Sequence, residues 1–176
     1  MSVIRWGILG AAKFAQDQMA PAIHAARDAQ LVALATSNSG KAAPFAAIAP
    51  GLRVMDSYDS LLADASIDAV YVPLPNSLHV EWTRKALQAG KHVLTEKPIA
   101  MQADDIDSLI ALRDQTGLQA AEAYMIVHHP QWHDTRRLVQ DGVIGDLRRV
   151  NATSTYDNSG DPGNIRNAVD TGGGSL

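Results

Sequence analysis

Short apolar runs alternate with helix-period segments through the first two thirds of this chain, and that alternation limits its fold more than any other feature. Residues 3–9 precede a helical pattern over 11–29, residues 31–36 precede 41–49, and residues 53–55 precede 58–65. The series continues with 69–72 before 77–89, 92–95 before 103–116, and a last run over 119–124. Six strands with intervening helices predict a parallel, doubly wound α/β sheet of the Rossmann kind. Gly40, Gly51, Gly90 and Gly117 fall between elements, while Pro21 predicts a kink or break in the first helix.

The pattern changes after residue 122. Residues 130–142 read as a helix ended by glycine and 147–156 as a long alternating strand; 157–174, rich in Gly, Asn and Asp, read as loop. Two domains follow: a dinucleotide-binding type of sheet over 1–122, and over 123–176 the start of an α+β domain too short to be complete. One helix and one strand cannot bury a sheet face. This second part is therefore expected to pack on the first, pair with another chain, or stay partly disordered.

With 46% hydrophobic residues among 176, the chain can bury a real core. A net charge of −4 without long runs, and basic pairs no longer than Arg136-Arg137 and Arg148-Arg149, give no footprint for nucleic acid. The absence of cysteine excludes disulfides, thiolate metal sites and thiol nucleophiles. No apolar run approaches the roughly 20 residues of a membrane span, and the first strand begins too early to leave room for a signal peptide. A cytoplasmic protein is expected, with no membrane or nucleic-acid partner.

Gly7-Ile8-Leu9-Gly10-Ala11-Ala12 lies where the first strand meets the first helix. A pyrophosphate could approach the backbone N–H groups there, at the positive end of the helix. The structural alternative puts Gly7 inside the strand and leaves Gly10 to allow close helix packing. NAD sites place an acid roughly 20 residues further on, against the ribose hydroxyls. Here the second strand's tip instead reads Thr36-Ser37-Asn38-Ser39-Gly40-Lys41. Ser37, Asn38 and Lys41 offer a hydroxyl, an amide and a cation suited to a 2′-phosphate, so NADP is favoured over NAD. Ser37 or Ser39 could equally cap the next helix.

The fourth strand runs into Pro73-Leu74-Pro75-Asn76, a rigid ledge suited to the nicotinamide end of a dinucleotide, with Asn76 as the expected cap of the following helix. Leu74, Pro75, Asn76 and His79 are candidate cofactor contacts; for His79 an exposed first-turn position is the alternative. The fifth strand delivers Glu96-Lys97-Pro98 to a carboxyl end, where open α/β sheets bind ligands. Proline restricts Lys97 to an extended conformation, so the backbone aims the ammonium. The plainer reading of Glu96 and Lys97 is a salt bridge at a strand end.

These motifs resemble the glucose-fructose oxidoreductase and inositol dehydrogenase family. The resemblance rests on residues 7–12, on Asp68-Ala69-Val70-Tyr71-Val72 with Pro75-Asn76 and His79, on residues 89–100 around Glu96-Lys97-Pro98, and on Glu122-Ala123-Tyr124-Met125. Residues 142–147 and Gly172-Gly173-Gly174-Ser175-Leu176 are similar to its second domain, and His128-His129-Pro130-Gln131 to the branch acting on sugars, xylose and dihydrodiols. It implies hydride transfer between NAD(P) and a CH–OH carbon of a sugar, polyol or diol. Lys97 would be the catalytic lysine, tuned by burial toward a pKa of roughly 7 to 8, and Glu96 would orient it or hold ribose. Met125, His128, His129 and Arg166 would line the substrate pocket. The family uses an Asp and a His just beyond the glycine triplet, absent here, so the chain is expected to be part of a longer enzyme, of a family that typically forms homo-oligomers. The alternative is a dinucleotide-binding regulatory module, or an inactive fragment, that turns nothing over.

Other clusters carry less. His129 and His133 stand at helical spacing, but the substrate loop accounts for them better than a metal. Asp104, Asp105 and Asp107 suit the first turn of a helix. Trp132 reads as core packing. Ser175 has neither a neighbouring base nor a strained elbow, which excludes a serine hydrolase.

Overall fold

The computed structural model describes residues 2–155, 157, 160–161 and 163–173. Six parallel strands form one sheet in the order β3-β2-β1-β4-β5-β6. They are β1 (Ile4–Leu9), β2 (Ala29–Ala35), β3 (Arg53–Met55), β4 (Ala69–Val72), β5 (His92–Thr95) and β6 (Ala120–Glu122). All six lie where the sequence predicts strands. The order reverses between β1 and β4, so connections from these two strands leave in opposite directions and open a crevice at their carboxyl ends.

Alternate residues of the central strands feed two cores. Ile8, Leu34 and Tyr71 pack with Ala20 and Ile23 of α1 (Ala20–Ala25) and Phe45 of α2 (Ala43–Ile48). Leu9, Ala33, Val70 and Val72 face the other way, onto Leu61 of α3 (Tyr58–Ala63) and Ala86 and Leu87 of α4 (His79–Gln88), while α5 (Ala103–Thr116) adds Leu112. The central strands are apolar on both faces because helices cover both. The first helix is not broken at Pro21: a π-helical segment, Ala15–Met19, precedes it and continues into α1. The register changes just before the residue that has no N–H to give.

At the amino ends of the strands the Arg5 guanidinium grips Asp68 through two bonds of 2.8 and 2.7 Å, and Lys91 donates to the carbonyls of Asp64 and Ile67, each at 2.8 Å. Burial lowers the pKa of Lys91. These ties brace the end of the sheet opposite the crevice.

Beyond β6 the chain forms a short 3-10 turn, Met125–His128, and α6 (Pro130–Gln140), none of whose residues is buried. Trp132, expected in a core, is 50% exposed. The strand expected over 147–156 is not formed: residues 147–155 carry no strand structure, Leu147 and Val150 are exposed, and Tyr156 lies outside the described residues. An alternating pattern makes a strand only when another strand accepts its ladder, and no described segment does so.

Candidate active site

At the β1 exit Gly10 takes φ +100°, and its N–H donates to Ala35 O at 2.8 Å. A Cβ there would stand 2.9 Å from Leu74 Cδ2 and 3.3 Å from the Tyr58 hydroxyl. Only glycine turns this tightly beside the ledge. Ala11 and Ala12 follow, half-buried, before the helix starts at Lys13, where amides lacking intrahelical partners give an anion cradle. These residues fit a dinucleotide pyrophosphate. Gly7 plays a different part: it lies within β1, and a Cβ would be 2.7 Å from Leu61 Cδ2, so it admits α3 to the sheet. The placement of Gly7 inside the strand is the structural alternative read from the sequence.

No carboxylate occurs between residues 29 and 55. Thr36 is buried, and its hydroxyl accepts from Asn38 N at 3.2 Å; Ser37, Asn38, Ser39 and Lys41 are exposed beyond it. Asn38 caps the 3-10 turn Ser39–Lys41 ahead of α2, its Oδ1 accepting from Gly40 N at 3.0 Å, and α2 itself has no side-chain cap from Ser37 or Ser39. Both serine hydroxyls are left without this duty. Lys41 makes no ion pair among the described residues.

At the β4 exit Leu74 is buried and Pro75 and Asn76 are half-buried. Asn76 does not cap the helix. Its Nδ2 donates instead to Gly172 O at 2.8 Å, and a 3-10 turn, Asn76–Leu78, leads into α4. Gly172 has φ +76°, and a Cβ there would stand 2.6 Å from Met101 Sδ. The turn Val169–Thr171 is thereby seated against the ledge. His79 differs from both readings of it: it is 0% exposed, with Nδ1 2.7 Å from Pro98 O and Nε2 2.7 Å from Leu74 O. Both partners are backbone carbonyls, so the ring donates to one or the other according to its tautomer, and neither nitrogen faces ribose or phosphate.

Glu96 and Lys97 follow β5, and the Lys97–Pro98 peptide bond is cis. The Glu96 carboxylate accepts from the buried Tyr71 hydroxyl at 2.7 Å and from Lys97 N at 3.3 Å. Burial first, then the bond to Glu96, pushes the Tyr71 phenol well above its ordinary range, so it remains a donor. Glu122 Oε1 accepts from Ile99 N at 2.9 Å. Glu96 and Lys97 form no salt bridge, and the Lys97 side chain has no hydrogen-bond partner among the described residues. It is exposed. The burial expected of its ammonium is not supplied by this part of the molecule. Tyr71 and Glu122 escaped the sequence reading; one resembled core and the other only part of a motif.

Met125, His128 and His129 meet in one open hollow of about 510 Å³, with Ile126 and Pro130. His129 also caps α6, Nδ1 accepting from Gln131 N at 3.2 Å, and Pro130 occupies the first turn, where its missing N–H costs nothing. The side chain of Arg166 and residues 174–176 lie outside the described residues. Among the described residues no group of three or more His, Asp or Glu could hold a metal, and no helix is long and apolar enough to cross a membrane.

Residues 4–124 match the model of an oxidoreductase family with an NAD-binding Rossmann fold. A dTDP-3,4-didehydro-2,6-dideoxy-alpha-D-glucose 3-reductase from Streptomyces violaceoruber is 42% identical over 174 residues, 98% of this chain and 50% of that protein. A D-xylose 1-dehydrogenase (NADP(+)) from Haloferax volcanii is 34% identical, over 97% of this chain and 52% of its own length. A 3-ketoreductase from Actinomadura kijaniata, solved with NADP and TDP-benzene, aligns with a TM-score of 0.75 at 37% identity, over 80% of this chain and 43% of that one. The chain spans about half the length of the curated relatives it matches. Because the matched region runs from the first strand to just past the last, the chain belongs to that oxidoreductase family, with the NAD-binding Rossmann fold as its described core.

Proposed function

We propose that this chain supplies the cofactor site and the proton-donating lysine of an NADP-dependent oxidoreductase acting on a sugar, with reduction of a keto group as the favoured direction. The observation that carries the reading is the placement of Lys97 at the β5 exit, beside the β4 ledge, with the Gly10 turn at the point where the strand order reverses. Gly10, Ala11 and Ala12 would hold the pyrophosphate, Ser37, Asn38 and Lys41 the 2′-phosphate, and Leu74, Pro75, Asn76 and Glu96 the nicotinamide half. The relatives' substrates and cofactor, a deoxy-keto-sugar nucleotide, xylose and NADP, support the same choice.

Bound nicotinamide supplies or receives the hydride. Lys97 donates its ammonium proton to the carbonyl oxygen as the carbon is reduced, turning C=O into CH–OH, and its amine takes that proton back in the oxidative direction. Glu96, held by Tyr71, fixes the backbone N–H of Lys97 and with it the start of the side chain. Residues 123–176 open the substrate-binding and dimerising part, with Met125, His128, His129 and Arg166 on the sugar side. A cytoplasmic homo-oligomer is the matching assembly.

The test is NADPH consumption by the full-length protein with nucleotide-linked keto-sugars, aldoses and diols. Lys97→Ala is expected to lower kcat by about 10²–10⁴ while NADPH still binds. A full-length protein that binds NADPH and turns over none of these would instead be a dinucleotide sensor.

A further inference from the structure

We propose that His79 is the positioning residue for Lys97: buried beneath two loops, it ties the turn carrying the lysine to the ledge that leaves β4. The proposal rests on the reading of Lys97 as the proton donor. His79 opens α4, and its ring spans the gap between carbonyls of the two strand exits, 2.7 Å to Leu74 O and 2.7 Å to Pro98 O. The Leu74 contact is local, five residues back; the Pro98 contact crosses nineteen residues to the amino acid that follows Lys97, and the tautomer with its proton on Nδ1 donates to it.

Proline has no N–H, so its carbonyl is the one backbone group through which Pro98 can be anchored by a hydrogen bond. The other anchors of the turn are different in kind. Glu96 N reaches Val72 O at 3.1 Å as a continuation of the β4–β5 ladder, and the bond from Ile99 N to Glu122 is exposed to water. The Tyr71 hydroxyl holds Glu96 on the near side of Lys97, and the part-buried His79 contact holds Pro98 on the far side. Since the lysine side chain has no hydrogen-bond partner of its own among the described residues, its direction follows the backbone at 97 and 98. A ring that fixes Pro98 against Leu74 therefore sets where the ammonium points relative to the ledge. Displacement of a reacting group by about 1 Å can cost about 10² in rate.

The experiment is a double-mutant cycle in the full-length enzyme, combining His79→Leu, and separately His79→Gln, with Lys97→Ala. His79→Leu is expected to lower kcat by about 10², with the KM for the sugar and the Kd for NADPH changed less than about twofold. His79→Gln, which keeps a donor, should recover part of the loss. In the Lys97→Ala background neither change should lower kcat further. The same fractional loss with and without Lys97, or an unchanged kcat, overturns the proposal. If His79→Leu does not fold, the His79→Gln cycle decides alone.

Amide hydrogen exchange separates this outcome from failure of the enzyme reading. Independently of turnover, His79→Leu should speed exchange at Ile99, and His79→Gln less so, while β4 and β5 keep their protection. Unchanged exchange at Ile99 overturns the tether; a wild-type protein without turnover overturns only the assigned chemistry.

Discussion

The Tyr71 hydroxyl donates to Glu96 Oε1 across 2.7 Å, joining a residue buried in the middle of the sheet to the carboxylate that precedes Lys97. Tyr71→Phe keeps the packing and removes the donor. Loss of about 1.5 kcal/mol in denaturant unfolding is expected, together with a lower kcat. Alkali offers a second readout. The folded phenol is held above its ordinary pKa, whereas the unfolded one ionises near about 10. Above that pH the unfolded state binds fewer protons, so stability falls as pH rises. Tyr71→Phe should flatten that decline.

Acid acts at the other end of the sheet. The bond from Arg5, with smaller help from a backbone N–H and nearby charge, lowers the Asp68 pKa from 3.8 to about 2. Its stabilising contribution is present above the unfolded value and is lost as pH falls from 3.8 toward about 2. Asp68→Asn should be less stable at neutral pH and show a shallower loss in this window, followed by thermal melts across the range.

Gly10→Ala forces an L side chain into φ +100° and sets its Cβ 2.9 Å from Leu74 Cδ2. A cost of about 1–3 kcal/mol is expected, measured by urea unfolding. NADPH affinity should fall with it, because the turn that opens the anion cradle must move. Gly90→Ala, at φ +75° but with nothing within 4 Å, provides a control for backbone strain without a neighbour.

Lys41→Ala should weaken NADPH binding about tenfold, in keeping with about 1.5 kcal/mol for a charged hydrogen bond, and leave NADH binding unchanged. Isothermal titration with both cofactors checks this. An equal loss for both would place Lys41 elsewhere than at the 2′-phosphate.

The sheet was legible because its signals are local. Six apolar runs, separated by helical periods and glycines, need only parallel crossover connections to become this order of strands. The glycine turn and the Glu96-Lys97-Pro98 segment were legible as motifs for the same reason. His79 was not: a histidine in a first helical turn is ordinarily exposed, and here it is buried because the β5 loop crosses over it. Asn76 has the chemistry of a cap, yet Gly172, distant in sequence, takes its amide. The alternation over 147–156 failed for a related cause, since no described strand pairs with it. Each miss depends on a partner that local pattern cannot name.

Both margins of the sheet are strands of only three residues, β3 at one side and β6 at the other. Arg53, engaged with Asp64 and Ser66, stands on the first margin, and Glu122, bonded to Ile99 N, on the second. Short margins bearing charge are poor templates for another chain's backbone. Edge-to-edge stacking of copies, the usual hazard of an open sheet, is therefore discouraged by the same Glu122 that steadies the segment after Lys97.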